Sequence, residues 1–176
     1  ATNQAFHGLA DAGCPVIQVE EPCIHGIAGT APGAMLDAEF YVEAFNHEVR
    51  GLRAKTEIWC HTCWGNPAAQ RARDQHYSYA AALPYLERLD VDVLTFEGCE
   101  NGGEDFARIG CEIGKDKKVA IGVVSHRTLQ VETADEVAGL IRNALEYIEP
   151  ERLVITTDCG FGRQGMSRLH AFHKMV

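Results

Sequence analysis

The chain has no excess of positive charge: 16 lysines and arginines stand against 25 aspartates and glutamates, a formal net charge of −9. That balance repels phosphate backbones and anionic lipid headgroups, so nucleic acid and membrane surfaces are excluded as main partners. No apolar run approaches the roughly 20 residues of a membrane-spanning helix, and no charged-then-apolar leader opens the chain. A disulfide framework is missing too. The seven cysteines are odd in number and irregularly spaced, which fits a reducing compartment with thiol or metal chemistry better than a secreted scaffold. Linkers, low-complexity tracts and short repeats are also missing. What is present is 176 residues, 46% hydrophobic and 23% charged, enough chain to bury one core without covalent staples. The expected class is a cytoplasmic enzyme domain.

Short apolar runs recur at Val16–Val19, Glu57–Cys60, Val91–Phe96, Val119–Val124 and Leu153–Thr157. Each has the length and β-branched content of a buried strand. Between them lie amphipathic stretches at Asp37–Leu52, Gln75–Leu89, Asp105–Ile113 and Ala134–Ile148. The last is the clearest: Thr133 and Glu136 form a capping-box pair ahead of the apolar stripe Val137, Leu140, Ile141 and Leu145. Strand–helix alternation at this spacing predicts parallel βα units. Five units fall short of the eight in a closed (β/α)₈ barrel, and an open doubly wound sheet is the alternative. The chain starts at Ala1 within a helical pattern (Gln4 to Ala12) and stops at Val176 within another. This predicts a single domain over residues 1–176 that belongs to a longer protein.

Polar residues collect at the carboxyl ends of four strands: Val16-Ile-Gln-Val-Glu-Glu-Pro22, Trp59-Cys-His-Thr-Cys63, Leu94-Thr-Phe-Glu97 and Thr157-Asp-Cys-Gly160. In both parallel architectures the active site lies there. His61 and Cys63, one residue apart, can face the same side of an extended strand. With Glu97 and Cys159 they could close a tetrahedron around one ion, and such a donor set suits Zn²⁺ with an exchangeable position for substrate. Alternatively, His-x-Cys is coincidental and Cys159 is a buried small hydrophobe. Cys60 and Cys63 also make a Cys-x-x-Cys pair, the redox motif of thioredoxin-like proteins, although Gly65, Asn66 and Pro67 mark a loop rather than a helix start. His126 and Arg127 follow the fourth strand at the same rim. His126 is the candidate catalytic residue; both could contact an acidic substrate, or equally cap the next helix or pair with surface carboxylates. The Gly160–Gly165 segment is glycine-rich without the P-loop Lys-Ser/Thr, and is expected to let backbone approach the site closely. His25 is a further candidate substrate contact, and Cys99 is the one other cysteine expected near the rim.

In order and spacing these segments resemble the cobalamin-independent methionine synthase superfamily, specifically its catalytic (β/α)₈ domain. The resemblance rests on Ile17-Gln-Val-Glu-Glu-Pro22, His61-Thr-Cys63, Asp92-Val-Leu-Thr-Phe-Glu97, Lys118-Val-Ala-Ile-Gly-Val123 and Asp158-Cys-Gly160. It implies that the five units are the C-terminal part of a TIM barrel, with three N-terminal units missing and an isolated chain inactive. It implies His61, Cys63, Glu97 and Cys159 as zinc ligands, with Glu97 exchangeable, and transfer of a methyl group to the thiol of homocysteine. The methyl donor would be a methyl-folate or a corrinoid, which a corrinoid protein could carry. The family commonly has Asp-Glu-Pro where this chain has Glu20-Glu21-Pro22. Glu20 and Glu21 are therefore the candidate substrate-binding residues, with Glu20 reaching the amino acid part of homocysteine on a longer arm. Trp64-Gly-Asn66 looks more like the short relatives, among them lyases that join an epoxide to coenzyme M, so a coenzyme M-like thiol is the alternative substrate.

Overall fold

A computed structural model describes residues 1–28, 37–64, 78–163 and 166–176. Five strands form one sheet: β1 (Val16–Glu20), β2 (Glu57–His61), β3 (Val93–Phe96), β4 (Lys118–Gly122) and β5 (Leu153–Thr156). All neighbours pair in parallel and the order is β1-β2-β3-β4-β5. A doubly wound sheet reverses its strand order at a switch point; this sheet never does. Strictly sequential parallel strands with right-handed crossovers put all their helices on one face, as in an arc of barrel wall.

The helices are α1 (Thr2–Asp11), α2 (Ile24–Ala28), α3 (Ala38–Val49), α4 (Leu83–Leu86), α5 (Phe106–Glu112), α6 (Ala134–Leu145) and α7 (Arg168–Met175). Their starts follow local chemistry. Asp37 accepts a hydrogen bond from Phe40 N at 2.9 Å to begin α3, and Thr133 and Glu136 form the expected reciprocal box at α6. Ser167 accepts from His170 N at α7. None of the described helices is long and apolar enough to cross a membrane.

Registration sorts the strand residues by face. Gln18 pairs with Trp59 and Glu20 with His61; Trp59 then pairs with Val93, and His61 with Thr95. These lie on the face away from the helices. The other face carries Ile17, Val19, Ile58, Cys60, Leu94, Phe96, Val119 and Ile121, which belong to one buried apolar cluster with Phe45, Leu86, Phe106 and Ile109. The two-sided apolarity of β3 and β4 follows.

Two expectations need correction. A helix over Gln75–Leu89 is replaced, among the described residues, by the single turn of α4. Ser78 Oγ and Tyr79 N both donate to the Asp105 carboxylate, at 2.8 and 2.7 Å, which pulls this stretch out of helical register before Pro84 starts the turn; residues 75–77 lie outside the described residues. The close-approach glycine also sits elsewhere. A Cβ on Gly160 or Gly162 would meet nothing within 4 Å, whereas one on Gly122 would lie 2.1 Å from Asp158 Oδ1 and 2.7 Å from Asp158 N. The end of β4 thus passes directly against the turn that carries Cys159.

Candidate metal centre

β2 and the turn after it present His61 and Cys63, and the turn after β5 presents Cys159. The Cys63 and Cys159 sulfurs are 3.5 Å apart. Together with a His61 ring nitrogen they form a group whose ligand atoms all lie within 4.8 Å of one another. His61 Nδ1 lies 2.8 Å from Thr95 Oγ1 on the neighbouring strand, and Nε2 is buried with no hydrogen-bond partner. That is the arrangement of a metal-ligating histidine: one nitrogen is fixed by an outer partner, leaving the other lone pair for the ion. Burial works to lower the His61 imidazole, but the Cys159 sulfur beside it overrides this and the net shift is upward. Cys63 and then His61 hold the Cys159 thiol well below its ordinary value against the opposing effect of burial. A thiolate is the form that binds metal.

Glu97 lies at the end of β3, buried, but in a second group with His126 and Asp158. Its Oε1 accepts from Trp64 N at 3.0 Å and its Oε2 from Arg127 Nη2 at 2.9 Å. Burial pushes the Glu97 carboxyl up, and Arg127 pulls it back only in part. His126 is fully buried with neither ring nitrogen hydrogen-bonded. Burial, reinforced by the Arg127 charge, lowers it to about 4, so it is neutral near pH 7. Asp158 ties the rim together: Oδ1 accepts from Gly98 N and Cys99 N, and Oδ2 from Glu100 N. Burial raises its carboxyl to about 7.

The two candidate substrate carboxylates diverge. Glu20 ends β1, exposed, in register with His61 and so on the same face of the sheet. Glu21 is buried, and its Oε2 accepts from Cys23 N at 2.7 Å and Ile24 N at 2.9 Å, fixing the start of α2. Arg127, which the sequence leaves open between a substrate contact and the partner of a carboxylate, is ion-paired with the buried Glu97. His25 is buried in an aromatic group, 4.3 Å from Trp64 between ring centroids, and burial lowers it to about 4. Cys99 is half-buried, and burial pushes its thiol up to about 12.

The thioredoxin-like reading fails on fold and position. Cys60 sits in β2 facing the helices, fully buried, its thiol raised well above the ordinary value by burial. Alternation along the strand puts it on the face opposite His61. The thiol next to Cys63 is that of Cys159. The loop residues Gly65, Asn66 and Pro67, and residues 164–165 of the glycine-rich segment, lie outside the described residues.

Sequence reasoning missed Tyr79 and the role of Thr95. The Tyr79 hydroxyl donates to Thr62 O at 3.0 Å and accepts from Glu97 N at 3.1 Å, so it joins the His61–Cys63 segment to Glu97. Nothing in the sequence around Tyr79 signals this. Thr95 was legible in principle, since it lies two residues before Glu97 and hence on the same face.

A sequential parallel sheet with a thiol–imidazole group at its carboxyl rim defines a barrel-type α/β domain with a candidate metal centre. The family is equally definite: residues 1–176 match the family described as the catalytic domain of cobalamin-independent synthase, and the chain belongs to it. It is 34% identical over 176 residues to a methionine synthase of Saccharolobus islandicus, covering 100% of this chain and 46% of that protein. To a methionine synthase of Sulfurisphaera tokodaii it is 28% identical over 174 residues, covering 99% and 44%. Among solved structures it is similar to a B12-independent methionine synthase from a Shewanella species in complex with selenomethionine. The TM-score is 0.81 at 24% identity, over 99% of this chain and 49% of that one; that likeness bears on the fold alone. The chain spans about half the length of the curated relatives it matches.

Proposed function

We propose that this chain supplies the thiol-activating part of a zinc-dependent methyltransferase that methylates the sulfur of homocysteine, with a methyl-folate or a corrinoid as donor. The observation that carries the reading is the convergence of His61, Cys63 and Cys159 within 4.8 Å at the carboxyl rim. The residues fit the ion: two thiols and an imidazole are zinc donors, and the buried His61 Nε2 without a partner is otherwise an unexplained cost. Bound there, zinc would supply the positive charge that keeps a substrate thiol deprotonated near neutral pH.

The chain's own residues divide the remaining work. His61, Cys63 and Cys159 would hold the ion, and Glu97, which lies in the neighbouring group with His126 and Asp158, would be an exchangeable fourth ligand. Thr95 fixes the His61 ring. Glu20, on the same face as His61, would receive the ammonium group of an amino acid substrate, while Glu21, whose carboxylate accepts from Cys23 N and Ile24 N, would shape the turn after β1. His126, neutral and buried at the same rim, is the candidate catalytic residue and would act as a hydrogen-bond partner of the substrate. The same centre would serve a coenzyme M-like thiol attacking an epoxide.

Zinc per chain on anaerobically purified protein, with Cys159→Ser beside it, tests the reading. About one zinc in the parent and a clear loss in the variant are expected. Methylation of homocysteine from methyltetrahydrofolate or methylcobalamin, run beside alkylation of coenzyme M by an epoxide, then separates the substrates. A parent that takes up no zinc refutes the reading.

A further inference from the structure

Glu97 is set apart from the other candidate ligands by a specific partner. Its ion pair with Arg127, 2.9 Å long, is nearly dry: the two side chains are 2% and 9% exposed. Charge-assisted bonds are about twice as strong as neutral ones, and one this buried cannot be cut without stranding a charge. Arg127 is also fixed from behind. Its backbone N–H donates to Ser125 Oγ at 3.0 Å, and Ser125 in turn donates to Glu100.

Charge balance makes this pair a competitor to the metal. A divalent ion held by two thiolates has its charge formally cancelled, whereas the guanidinium keeps a full positive charge against the Glu97 carboxylate. The ion therefore gains no decisive electrostatic advantage over Arg127. Resting on the metal-site reading above, we propose that Arg127 is a positioning residue that holds Glu97 back from the metal and so keeps the fourth coordination position available to a substrate thiol.

Without the guanidinium, Glu97 should move to the ion. Zinc should then bind more tightly in the absence of thiol, and an incoming thiol should displace Glu97 less readily. The change expected is roughly tenfold to a hundredfold, the range of one charge-assisted bond.

The test uses the full chain and its Arg127→Met and Arg127→Lys variants. Zinc affinity is measured by competition with a chromophoric chelator, and cobalt(II) replaces zinc while homocysteine is titrated in and the sulfur-to-cobalt absorption is followed. Arg127→Met should bind zinc at least about tenfold more tightly and need about tenfold more homocysteine to gain the extra sulfur absorption. Arg127→Lys should recover most of the parental response, and adding Glu97→Gln to Arg127→Met should abolish the gain in zinc affinity. Unchanged or weaker zinc binding in Arg127→Met, with the parental cobalt spectrum and thiol response, overturns the proposal while leaving the metal site standing. A parent that binds neither zinc nor cobalt overturns the metal-site reading and this inference with it.

Discussion

Replacing Tyr79 with phenylalanine removes one oxygen and leaves the ring. The ring is fully buried and packs against Trp64 and Phe96, with centroids 4.9 and 5.0 Å away, so apolar packing should survive. The hydroxyl serves two buried backbone groups, Thr62 O and Glu97 N. Leaving a buried polar group unsatisfied costs about 1–3 kcal/mol; two such groups, with some relaxation, give a loss of about 3 kcal/mol. Burial raises the phenol well above its ordinary value, so the donor keeps its proton at any working pH and the loss should not vary between pH 6 and 9. In urea the midpoint should fall with the slope unchanged, and a thermal midpoint should drop by roughly 6–12 °C at about 2–4 °C per kcal/mol. Because the lost bonds join the His61–Cys63 segment to Glu97, zinc affinity should fall as well. A loss below about 1 kcal/mol, or a stability loss with unchanged zinc affinity, would refute the idea that this hydroxyl holds the rim.

Other perturbations separate the site from its surroundings. Cys63→Ser should abolish zinc uptake, while Cys60→Ala, on the opposite face of β2, should retain about one zinc per chain by metal analysis; equal loss in both would mean that Cys60 and Cys63 bind the ion together. In metal-free protein at pH 6, iodoacetamide followed by peptide mapping should label Cys159 ahead of Cys99. The first thiol is held low beside Cys63 and His61 and the second pushed up to about 12 by burial, so above its lowered value Cys159 is the thiolate. Gly122→Ala should cost about 1–3 kcal/mol by overpacking, because the new methyl would land 2.1 Å from Asp158 Oδ1. Asp158 is pinned by three backbone N–H groups and has little room to yield. Zinc affinity should drop in parallel, and an unchanged urea midpoint would sink the argument.

The sequence exposed what depends on local patterning. Strand cores, the α6 capping box and the placement of His61, Cys63, Glu97 and Cys159 at strand ends follow from periodicity and alternation, which act over a few residues. What stayed hidden depends on contacts between distant segments. Arg127 reads equally as a substrate contact or a counter-ion until β3 and β4 are side by side. Glu21 looks like a twin of Glu20 until the chain turns at Pro22 and its carboxylate meets the N–H groups of Cys23 and Ile24 at the start of α2. Gly122 looks like an ordinary strand glycine, and the glycine-rich segment after β5 drew attention instead. Only the tertiary fold brings Asp158 over it.

The geometry of the sulfurs also explains why curvature, rather than any single motif, makes this site. Cys63 and Cys159 are 96 positions apart in sequence and follow β2 and β5, which are separated by three interstrand steps. At about 4.8 Å per step a flat sheet would hold the ends of those strands roughly 14 Å apart, yet the sulfurs lie within 3.5 Å. A sheet curled as an arc of barrel wall shortens that chord, and the turns after β2 and β5 that carry the two cysteines span what remains. An ion gripping both sulfurs would therefore staple the two sides of the arc. Because binding confined to the folded state stabilises it by RT ln(1 + [L]/Kd), free zinc at a hundred times its dissociation constant should add about 2.7 kcal/mol. Urea unfolding with and without a zinc buffer measures this directly. The parent should gain that stability and Cys159→Ser should gain almost none. An equal gain in both would mean that the metal rests on β2 alone, and that the curvature of the sheet has no part in holding it.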